Sequence, residues 1–261
     1  MATAILFGLP AHGQTNPTLP IVAELVRQGE QIIYYSTEEF RAPIEATGAD
    51  FRAYGYAFDD TFKFVGPSIA PRITDPAFPF EALHDGPLLS ISLGTLFHRQ
   101  NEFYRCCFQA FEQSDYQIVM SIGQHTTREQ PGRTPENFMV CQSVQQLELL
   151  QRVTLFITHA GMNSTNEALY YGVPLLAIPQ ATDQHYIARR IEQTGAGIRL
   201  SRKRVTASRL RSSADEIRTH AYYAQASARI GASLRQAGGF RAALQAIQQF
   251  KQRYHIEQFR R

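Results

Sequence analysis

The chain begins with apolar and polar positions that alternate between a strand pattern and a helix pattern. Residues 3–10 form a short apolar run that is typical of a strand, and residues 16–29 carry apolar side chains at helical spacing up to Gly29. The same two patterns follow in residues 30–37 and 38–49. This strand–helix–strand–helix order is typical of the beginning of a doubly wound parallel sheet.

The alternation stops after its second helix and then resumes. Residues 50–72 are aromatic and rich in turns, and residues 75–87 form a linker with proline and phenylalanine. Beyond them, strands are predicted at 88–95, 116–123, 137–144, 153–161, 174–179 and 197–201, with helices at 101–114, 146–152, 163–172, 183–197 and from there to the end. The pattern therefore predicts an α/β protein with a truncated N-terminal fragment, residues 1–57, and one complete Rossmann-like C-terminal domain, residues 58–261.

The composition indicates an ordinary globular protein. The 261 residues are 44% hydrophobic and 19% charged. The net charge of +3 comes mostly from the last third of the chain, where basic residues are interleaved with apolar residues at helical spacing. A basic segment can bind nucleic acid or an anionic membrane, but this spacing favours solvated helix faces. We therefore expect no nucleic-acid partner.

Cysteine usage and hydropathy predict a cytoplasmic protein. Cys106, Cys107 and Cys141 are odd in number and have no metal-binding spacing, which favours free thiols in a reducing compartment. The first residues lack the basic segment and the apolar length of a signal peptide. No stretch approaches the roughly 18 apolar residues that a membrane span requires.

A group of polar residues directly follows the apolar run "VTLFI" in the segment "THAGMNSTNEAL". Ligands of open α/β sheets bind beyond the carboxyl ends of the strands. Here Gly161 would make the turn, and Asn163 and Ser164 would open a helix whose free N–H groups suit a phosphate. His159 can donate to a phosphate oxygen, and Glu167 can accept from the two hydroxyls of a ribose. The group predicts a nucleotide diphosphate site. The alternative is a helix N-cap at Asn163 or Ser164 beside a core histidine.

The segment "FITHAGMNSTNEALYYGVPLLAIPQATDQ" resembles the sugar-donor signature of family 1 glycosyltransferases, and most closely that of bacterial macrolide-type UDP-glycosyltransferases. The likeness continues through "FDDTFKFVGPS", "LLSISLGTLF", "NFMVCQSVQQLELL" and "RQAGGFRAALQAIQQF", and "GLPAHGQTNPTLPIVAELVRQG" matches near the start. It implies a GT-B-like fold and an inverting hexosyltransferase that uses a UDP-sugar as co-substrate and no other cofactor. The sequence contains no D-x-D and no metal-ligand spacing, which agrees with metal-independent catalysis.

The resemblance also implies which residues bind the donor. Those implied at the diphosphate are Ser92, Gly94, Thr95, His159, Gly161, Asn163 and Ser164. Those implied along the uracil and ribose are Ser143, Val144, Gln146 and Glu167. Asp183 and Gln184 are implied at the hexose hydroxyls, although such a pair by itself is typical of a turn or a helix cap.

The chain departs from the family at the catalytic base and at the nucleobase. The family's base is a histidine that deprotonates the acceptor hydroxyl, and the matching residue here is Gln14. An amide cannot accept a proton at neutral pH, so His12, two residues upstream, is the candidate substitute. Many relatives stack a tryptophan on uracil at position 143, where this chain has serine, and their usual proline is Gln145.

A second departure concerns the acceptor side. The chain passes from "DFRAYG" almost directly to "FDDTFKFVGPS", so most of the family's acceptor domain is missing. A two-strand fragment cannot bury both faces of its sheet, and we expect it to dock on the C-terminal domain, to dimerise or to be poorly ordered. The uncovered face of the C-terminal domain would favour self-association, for which a homodimer is one form.

These observations leave more than one function open. The first is transfer of a hexose, glucose by expectation, from a UDP-sugar to a small hydrophobic hydroxyl compound of the macrolide or flavonoid kind. The second is a nucleotide-sugar-binding module without transferase activity, with slow UDP-sugar hydrolysis between the two. The third is a remnant of a family gene. The intact donor signature favours the glycosyltransferase.

Overall fold

The computed structural model describes residues 3–7, 15, 18–53, 63–70, 78–94, 101–123 and 132–253. The chain divides into two compact units, Met1–Lys63 and Phe64–Arg261. The predicted domain boundary between residues 57 and 58 lies within residues 54–62, which are outside the described residues.

The smaller unit contains a three-stranded parallel sheet in the order β1-β2-β3. Its elements are β1 (Thr3–Phe7), α1 (Leu19–Arg27), β2 (Gln31–Ser36), a 3-10 turn (Glu38–Phe40), α2 (Arg41–Glu45) and β3 (Asp50–Ala53). The glycines predicted to end its helices, Gly29 and Gly48, have φ values of 89° and 84°. Glycine is the residue that adopts this left-handed conformation without steric cost.

Strand β3 was missed by the sequence prediction, which ended the fragment after two strands. Phe51 pairs with Tyr34 of β2 and is buried, while its neighbours Asp50 and Arg52 are exposed. A strand of four residues with one buried side chain leaves too short an alternation to be recognised beside a turn-rich segment. The fragment is therefore strand–helix–strand–helix–strand.

The larger unit is built on a six-stranded parallel sheet in the order β6-β5-β4-β7-β8-β9. Its strands are β4 (Leu88–Ser92), β5 (Gln117–Ser121), β6 (Phe138–Cys141), β7 (Leu155–Thr158), β8 (Leu175–Ala177) and β9 (Gly197–Arg199). Its helices are α3 (Asn101–Phe111), α4 (Gln146–Leu150), α5 (Met162–Tyr170), α6 (Thr182–Gln193), α7 (Ala207–Thr219), α8 (Ala221–Gln236) and α9 (Gly239–Arg253). Each predicted strand and helix of this unit is present, usually shortened at its ends.

Both faces of the larger sheet are covered. One core contains Leu89 and Ile157 with side chains of α3 and α7, and the other contains Leu88 and Phe156 with side chains of α4, α5 and α6. Successive strand residues point to opposite faces, so two cores require strands that are apolar at nearly every position. This explains why the strands appear in the sequence as continuous apolar runs.

The strand order places a topological switch point between β4 and β7. The chain moves outward from β4 to β5 and β6, then returns to β7 on the other side of β4 and continues to β8 and β9. Ser92 at the end of β4 pairs with Thr158 at the end of β7. The loops that leave these two strands diverge, and the space between them is where open α/β sheets bind their ligands.

Two further features bear on the expectations from composition. Cys106, Cys107 and Cys141 are free, and burial raises the pKa of the Cys107 thiol well above its ordinary value. Among the described residues, no helix combines the length and the apolar character that a membrane crossing would need.

Candidate functional site

The turn that leaves β7 at the switch point has an unusual backbone. Ala160 is fully buried and has a φ of 62°, which among the described residues is the one positive value at a residue other than glycine. Its N–H donates to the hydroxyl of Thr158 at 3.3 Å. A left-handed alanine is disfavoured by its Cβ and persists where the surrounding structure imposes it, which often occurs at functional sites.

The ring of His159 lies between two glycines. A Cβ on Gly94, in the loop after β4, would lie 2.8 Å from Cε1 of His159, and a Cβ on Gly161 would overlap Nε2. Two strands that are far apart in the sequence therefore bring their following loops into contact with one imidazole. Any side chain at either glycine would displace the ring.

The role of Gly161 differs from the one predicted from the sequence. We expected it to make the turn, but the left-handed residue is Ala160, and Gly161 is extended with φ −66° and ψ 141°. Gly161 is instead the N-cap of α5, and it leaves the space that the ring of His159 occupies. Asn163 and Ser164 lie inside the first turn and make no side-chain cap, so the alternative that either is the N-cap is wrong.

Burial lowers the pKa of His159 below its ordinary value, while the main chain of Ser92 and the carboxylate of Asp183 act in the opposite direction. The net direction favours the neutral form of the ring. Its Nδ1 atom is buried and has no hydrogen-bond partner of regular geometry among the described residues. A neutral imidazole can donate one N–H to an anion, and negative charge nearby raises its pKa.

The N-terminus of α5 adds main-chain donors beside this ring. The first bond of the helix joins the N–H of Thr165 to the carbonyl of Gly161 at 2.9 Å. The N–H groups of Met162, Asn163 and Ser164 therefore have no acceptor within the helix. Such groups, together with the positive end of the helix dipole, form an anion-binding geometry.

A carboxylate lies further along the same helix. Glu167 is only 2% exposed, and its Oε2 accepts a hydrogen bond from Nε2 of Gln146 in α4 at 2.6 Å. Both side chains were predicted at the ribose, but their mutual bond was not. The amide holds one carboxylate oxygen in place.

A cavity of about 370 Å³ borders the predicted nucleobase residues. Val144, Gln145 and Gln146 line it from the start of α4, and Tyr170 and Tyr171 line it from the end of α5. Ser143, the position at which the resemblance implied a tryptophan in many relatives, is exposed. The described lining thus supplies two aromatic rings close to the predicted base segment, though neither comes from position 143.

The predicted hexose residues differ in environment. Asp183 is exposed in the first turn of α6, and its carboxylate acts on the charge of His159. Gln184 is 6% exposed, and its Oε1 accepts from the N–H groups of Gln180 at 2.9 Å and Ala181 at 3.1 Å. The oxygen of Gln184 therefore caps the loop before α6, as the alternative interpretation of the pair foresaw. Its amide nitrogen has no partner among the described residues.

Three predicted site residues, His12, Gln14 and Thr95, lie outside the described residues. The base position and its substitute are therefore known here from the sequence alone. Within the described ranges, no group of three or more histidine, cysteine or acidic side chains is arranged to hold a metal ion.

Sequence reasoning missed Ala160 and the Gln146–Glu167 bond. Nothing in the local sequence marks Ala160, because alanine carries no preference for a left-handed backbone. The bond joins residues 21 positions apart on two helices, so only packing of α4 against α5 brings them together. The available signal for this bond was that Gln146 and Glu167 are polar residues in helices that also carry buried apolar side chains.

Comparison with known proteins adds a family to this geometry. A family model described as "Erythromycin biosynthesis protein CIII-like, C-terminal domain" matches residues 106–236. The uncharacterized UDP-glucosyltransferase YojK of Bacillus subtilis (strain 168) is 38% identical over 201 residues, which cover 77% of this chain and 50% of that protein. The oleandomycin glycosyltransferase of Streptomyces antibioticus is 33% identical over 191 residues, with 73% and 44% covered. The chain spans about half the length of the curated relatives it matches.

A solved structure is similar over almost the whole chain. The crystal structure of CalG4, the calicheamicin glycosyltransferase, gives a TM-score of 0.69 at 19% identity and covers 96% of this chain and 98% of that one. At this identity the likeness concerns the fold alone. It confirms the predicted α/β architecture with parallel sheets.

Proposed function

Because the chain belongs to the erythromycin biosynthesis protein CIII-like family of macrolide-type UDP-glycosyltransferases, we propose that it binds a nucleotide-sugar donor at the β4–β7 switch point and transfers the sugar. The observation that carries the proposal is the arrangement along α5. His159 and three free N–H groups stand at its N-terminus, and the buried carboxylate of Glu167 lies about one turn further along. The spacing matches a diphosphate followed by a ribose.

In the proposed complex, the diphosphate lies against the N-terminus of α5. The N–H groups of Asn163 and Ser164 and the ring of His159 donate to its oxygens, and Glu167 accepts from the ribose hydroxyls. Val144 and Gln146 lie along the base, and Asp183 accepts from the hexose. Gly94 and Gly161 contribute by having no side chain, since each leaves the ring of His159 in contact with the site.

The proposed reaction is inverting transfer of a hexose, with glucose and uridine as the expected sugar and nucleoside. The acceptor oxygen attacks C1 of the sugar from the face opposite the diphosphate and forms the new C1–O bond. The bond between C1 and the diphosphate oxygen breaks, its electron pair leaves with UDP, and the acceptor proton passes to a base. The helix terminus and His159 stabilise the departing negative charge without a metal ion.

The acceptor we propose is a small hydrophobic hydroxyl compound. Met162, the first residue of α5, is 53% exposed beside the diphosphate position and offers an apolar contact there. A phenolic hydroxyl suits a site with Gln14 at the family's base position, because the phenol pKa of about 10 makes deprotonation easier than for an alcohol. His12 is the base we would test, since the family's base position holds Gln14.

A second candidate function is a donor-binding module that does not transfer the sugar. One observation favours it: the amide of Gln14 at the base position. This candidate keeps the donor site and the role of Glu167 and lacks turnover. A positioned base is worth roughly 10²–10⁴-fold in rate, so its loss alone would suffice.

The test measures UDP binding by calorimetry and UDP release from UDP-glucose, with and without a panel of phenols. Glu167→Ala is compared with Glu112→Ala, which removes an exposed carboxylate just after α3. The transferase predicts release that rises with acceptor and disappears in Glu167→Ala only. Binding that depends on Glu167 without release would support the module. Wild-type protein that binds no UDP would contradict both.

A further inference from the structure

A second cavity lies beyond the ends of β8 and β9, and its lining is strongly basic. We call it the basic cavity; it has a volume of about 630 Å³. Its described lining residues are Pro179, His185, Glu192, Arg199, Leu200, Ser201, Arg204 and Arg209. None of these is among the residues proposed for the donor.

The fold places three of these arginines along one stretch of chain. Leu200 directly follows β9, and its N–H donates to the carbonyl of Ala177 at 2.9 Å, so Arg199 and the residues after it lie at the carboxyl edge of the sheet. A 3-10 turn, Arg202–Arg204, follows at once. The hydroxyl of Thr206 then caps α7 by accepting from the N–H of Arg209 at 3.3 Å, so the backbone of Arg209 is fixed in the first turn.

Among the described lining residues of the basic cavity, positive charge exceeds negative charge. Arg199 pairs with Glu192 at 3.2 Å, but neither Arg204 nor Arg209 has a carboxylate partner among the described residues. Three guanidinium groups against one carboxylate leave a net formal charge of +2, with His185 counted as neutral.

Other arginines of the same helix are paired. Arg211 contacts Asp215 at 2.8 Å, and Arg218 contacts Asp115 at 2.6 Å. From the sequence we expected the basic residues of this region to lie mostly on solvated helix faces, and both Arg204 and Arg209 are exposed. In addition, the two side chains line one concave surface with a neighbouring hydroxyl at Ser201.

We propose that the basic cavity is a binding site for a small phosphate-bearing molecule, separate from the donor site. Guanidinium groups bind phosphate oxygens in pairs of parallel hydrogen bonds, and the free ones at Arg204 and Arg209 can each supply such a pair. The volume lies within the range of pockets that hold small ligands. Pro179 and Leu200 give the cavity an apolar wall for the rest of the molecule. The inference does not depend on the proposed transferase activity.

The test is a titration of the full chain with inorganic pyrophosphate, followed residue by residue through main-chain amide shifts in NMR spectra. Pyrophosphate can also bind at the N-terminus of α5, and residue-level shifts separate the two places. We expect saturable shifts at residues 199–209. The double substitution Arg204→Gln and Arg209→Gln should weaken that binding by about tenfold or more, because charge-assisted hydrogen bonds are lost.

The matched control is Arg229→Gln, which removes an exposed arginine of α8 and changes the net charge equally per site. Arg204 and Arg209 are exposed and have no ion-pair partner in the part of the chain that the structure describes, so the double variant should keep the wild-type circular dichroism and melting temperature. If the double variant is destabilised, pyrophosphate binding is measured instead on Arg204→Gln and on Arg209→Gln separately. An equal loss of binding in Arg229→Gln would show general attraction to positive charge and overturn the proposal. Shifts confined to residues 160–164, or no saturable shifts, would also overturn it.

Discussion

In the six-stranded sheet the central strands β7 and β8 are buried at every residue, whereas in the three-stranded sheet β2 alternates between buried and partly exposed residues. Both sheets are parallel and both came from strand–helix alternation in the sequence. The difference lies in their cover, because helices pack on both faces of the larger sheet. The buried apolar residues described in the smaller unit form one cluster, which lies on the sheet face that carries Ile32 and Tyr34.

The other face of the smaller sheet carries both an exposed apolar residue and charged residues. Ile5 is 55% exposed and pairs in register with Ile33, while an ion pair between Asp50 and Arg52, at 2.9 Å, occupies the β3 end of the same face. Parallel sheets are normally covered on both faces. This face is therefore apolar at Ile5 and Ile33 and charged at Asp50 and Arg52. Our expectation that this fragment docks or dimerises stays a prediction.

The largest expected effect tests the difference in cover directly. Phe156→Ala in β7 removes a fully buried ring and should lower the free energy of unfolding of the larger unit by about 3–5 kcal/mol. Ile5→Ser in β1 removes a largely exposed side chain and should change it by less than about 0.5 kcal/mol. Urea unfolding followed by circular dichroism measures both. A large cost of Ile5→Ser would mean that the face is buried in solution, and the comparison would fail.

The next effect concerns the switch point, which the strand order of the larger sheet creates between β4 and β7. Gly161→Ala introduces a Cβ that overlaps the ring of His159, while its φ of −66° is accessible to alanine, so the cost is steric alone. We expect about 1–3 kcal/mol of destabilisation from overpacking, together with weaker UDP binding. Ser208→Ala is the control, because Ser208 is exposed in the first turn of α7 and its loss should leave UDP affinity unchanged. Unchanged UDP affinity in Gly161→Ala would contradict the position assigned to His159.

A smaller effect separates the two roles of Gln184. Gln184→Ala removes the oxygen that caps the loop before α6 and should cost roughly 0.5–1.5 kcal/mol of stability. Gln184→Glu keeps an acceptor oxygen but loses the amide N–H, so stability should be retained while binding of the hexose weakens. Thermal melting and calorimetry with UDP-glucose and UDP give the two readouts. If Gln184→Glu keeps the wild-type ratio of UDP-glucose affinity to UDP affinity, the role of Gln184 is restricted to capping.

The smallest effect is a pH dependence confined to the larger unit. Burial lowers the pKa of His159 in the folded chain, so the unfolded chain takes up the proton first as pH falls. The free energy of unfolding should therefore fall as pH drops from 7 through about 6.5, the unfolded pKa, and level off below the folded pKa. His159→Gln should abolish this part of the dependence. NMR titration of the ring should show a pKa that rises when pyrophosphate or UDP binds at α5, and an unchanged pKa would remove His159 from the anion site.

Much of the fold could be predicted because the larger unit follows strong local rules. Its strands are continuous apolar runs, its helices carry apolar stripes, and its turns hold glycine, so β4 to β9 and α3 to α9 all coincide with predicted segments. The GT-B-like architecture is confirmed by the similarity to solved glycosyltransferases. Strand β3 was lost because four residues with one buried side chain carry too little pattern.

The sequence by itself determined the order of the strands and helices and the chemistry available after β7, since residue type sets donors, acceptors and backbone preferences. Only the tertiary structure decided how these groups meet. The ring of His159 lies between Gly94 and Gly161, Gln146 holds Glu167, and Arg204 and Arg209 share one cavity. Each of these arrangements joins segments through packing of the sheet and its helices. Local preference cannot encode such contacts, because they depend on distances that exist only once the core has formed.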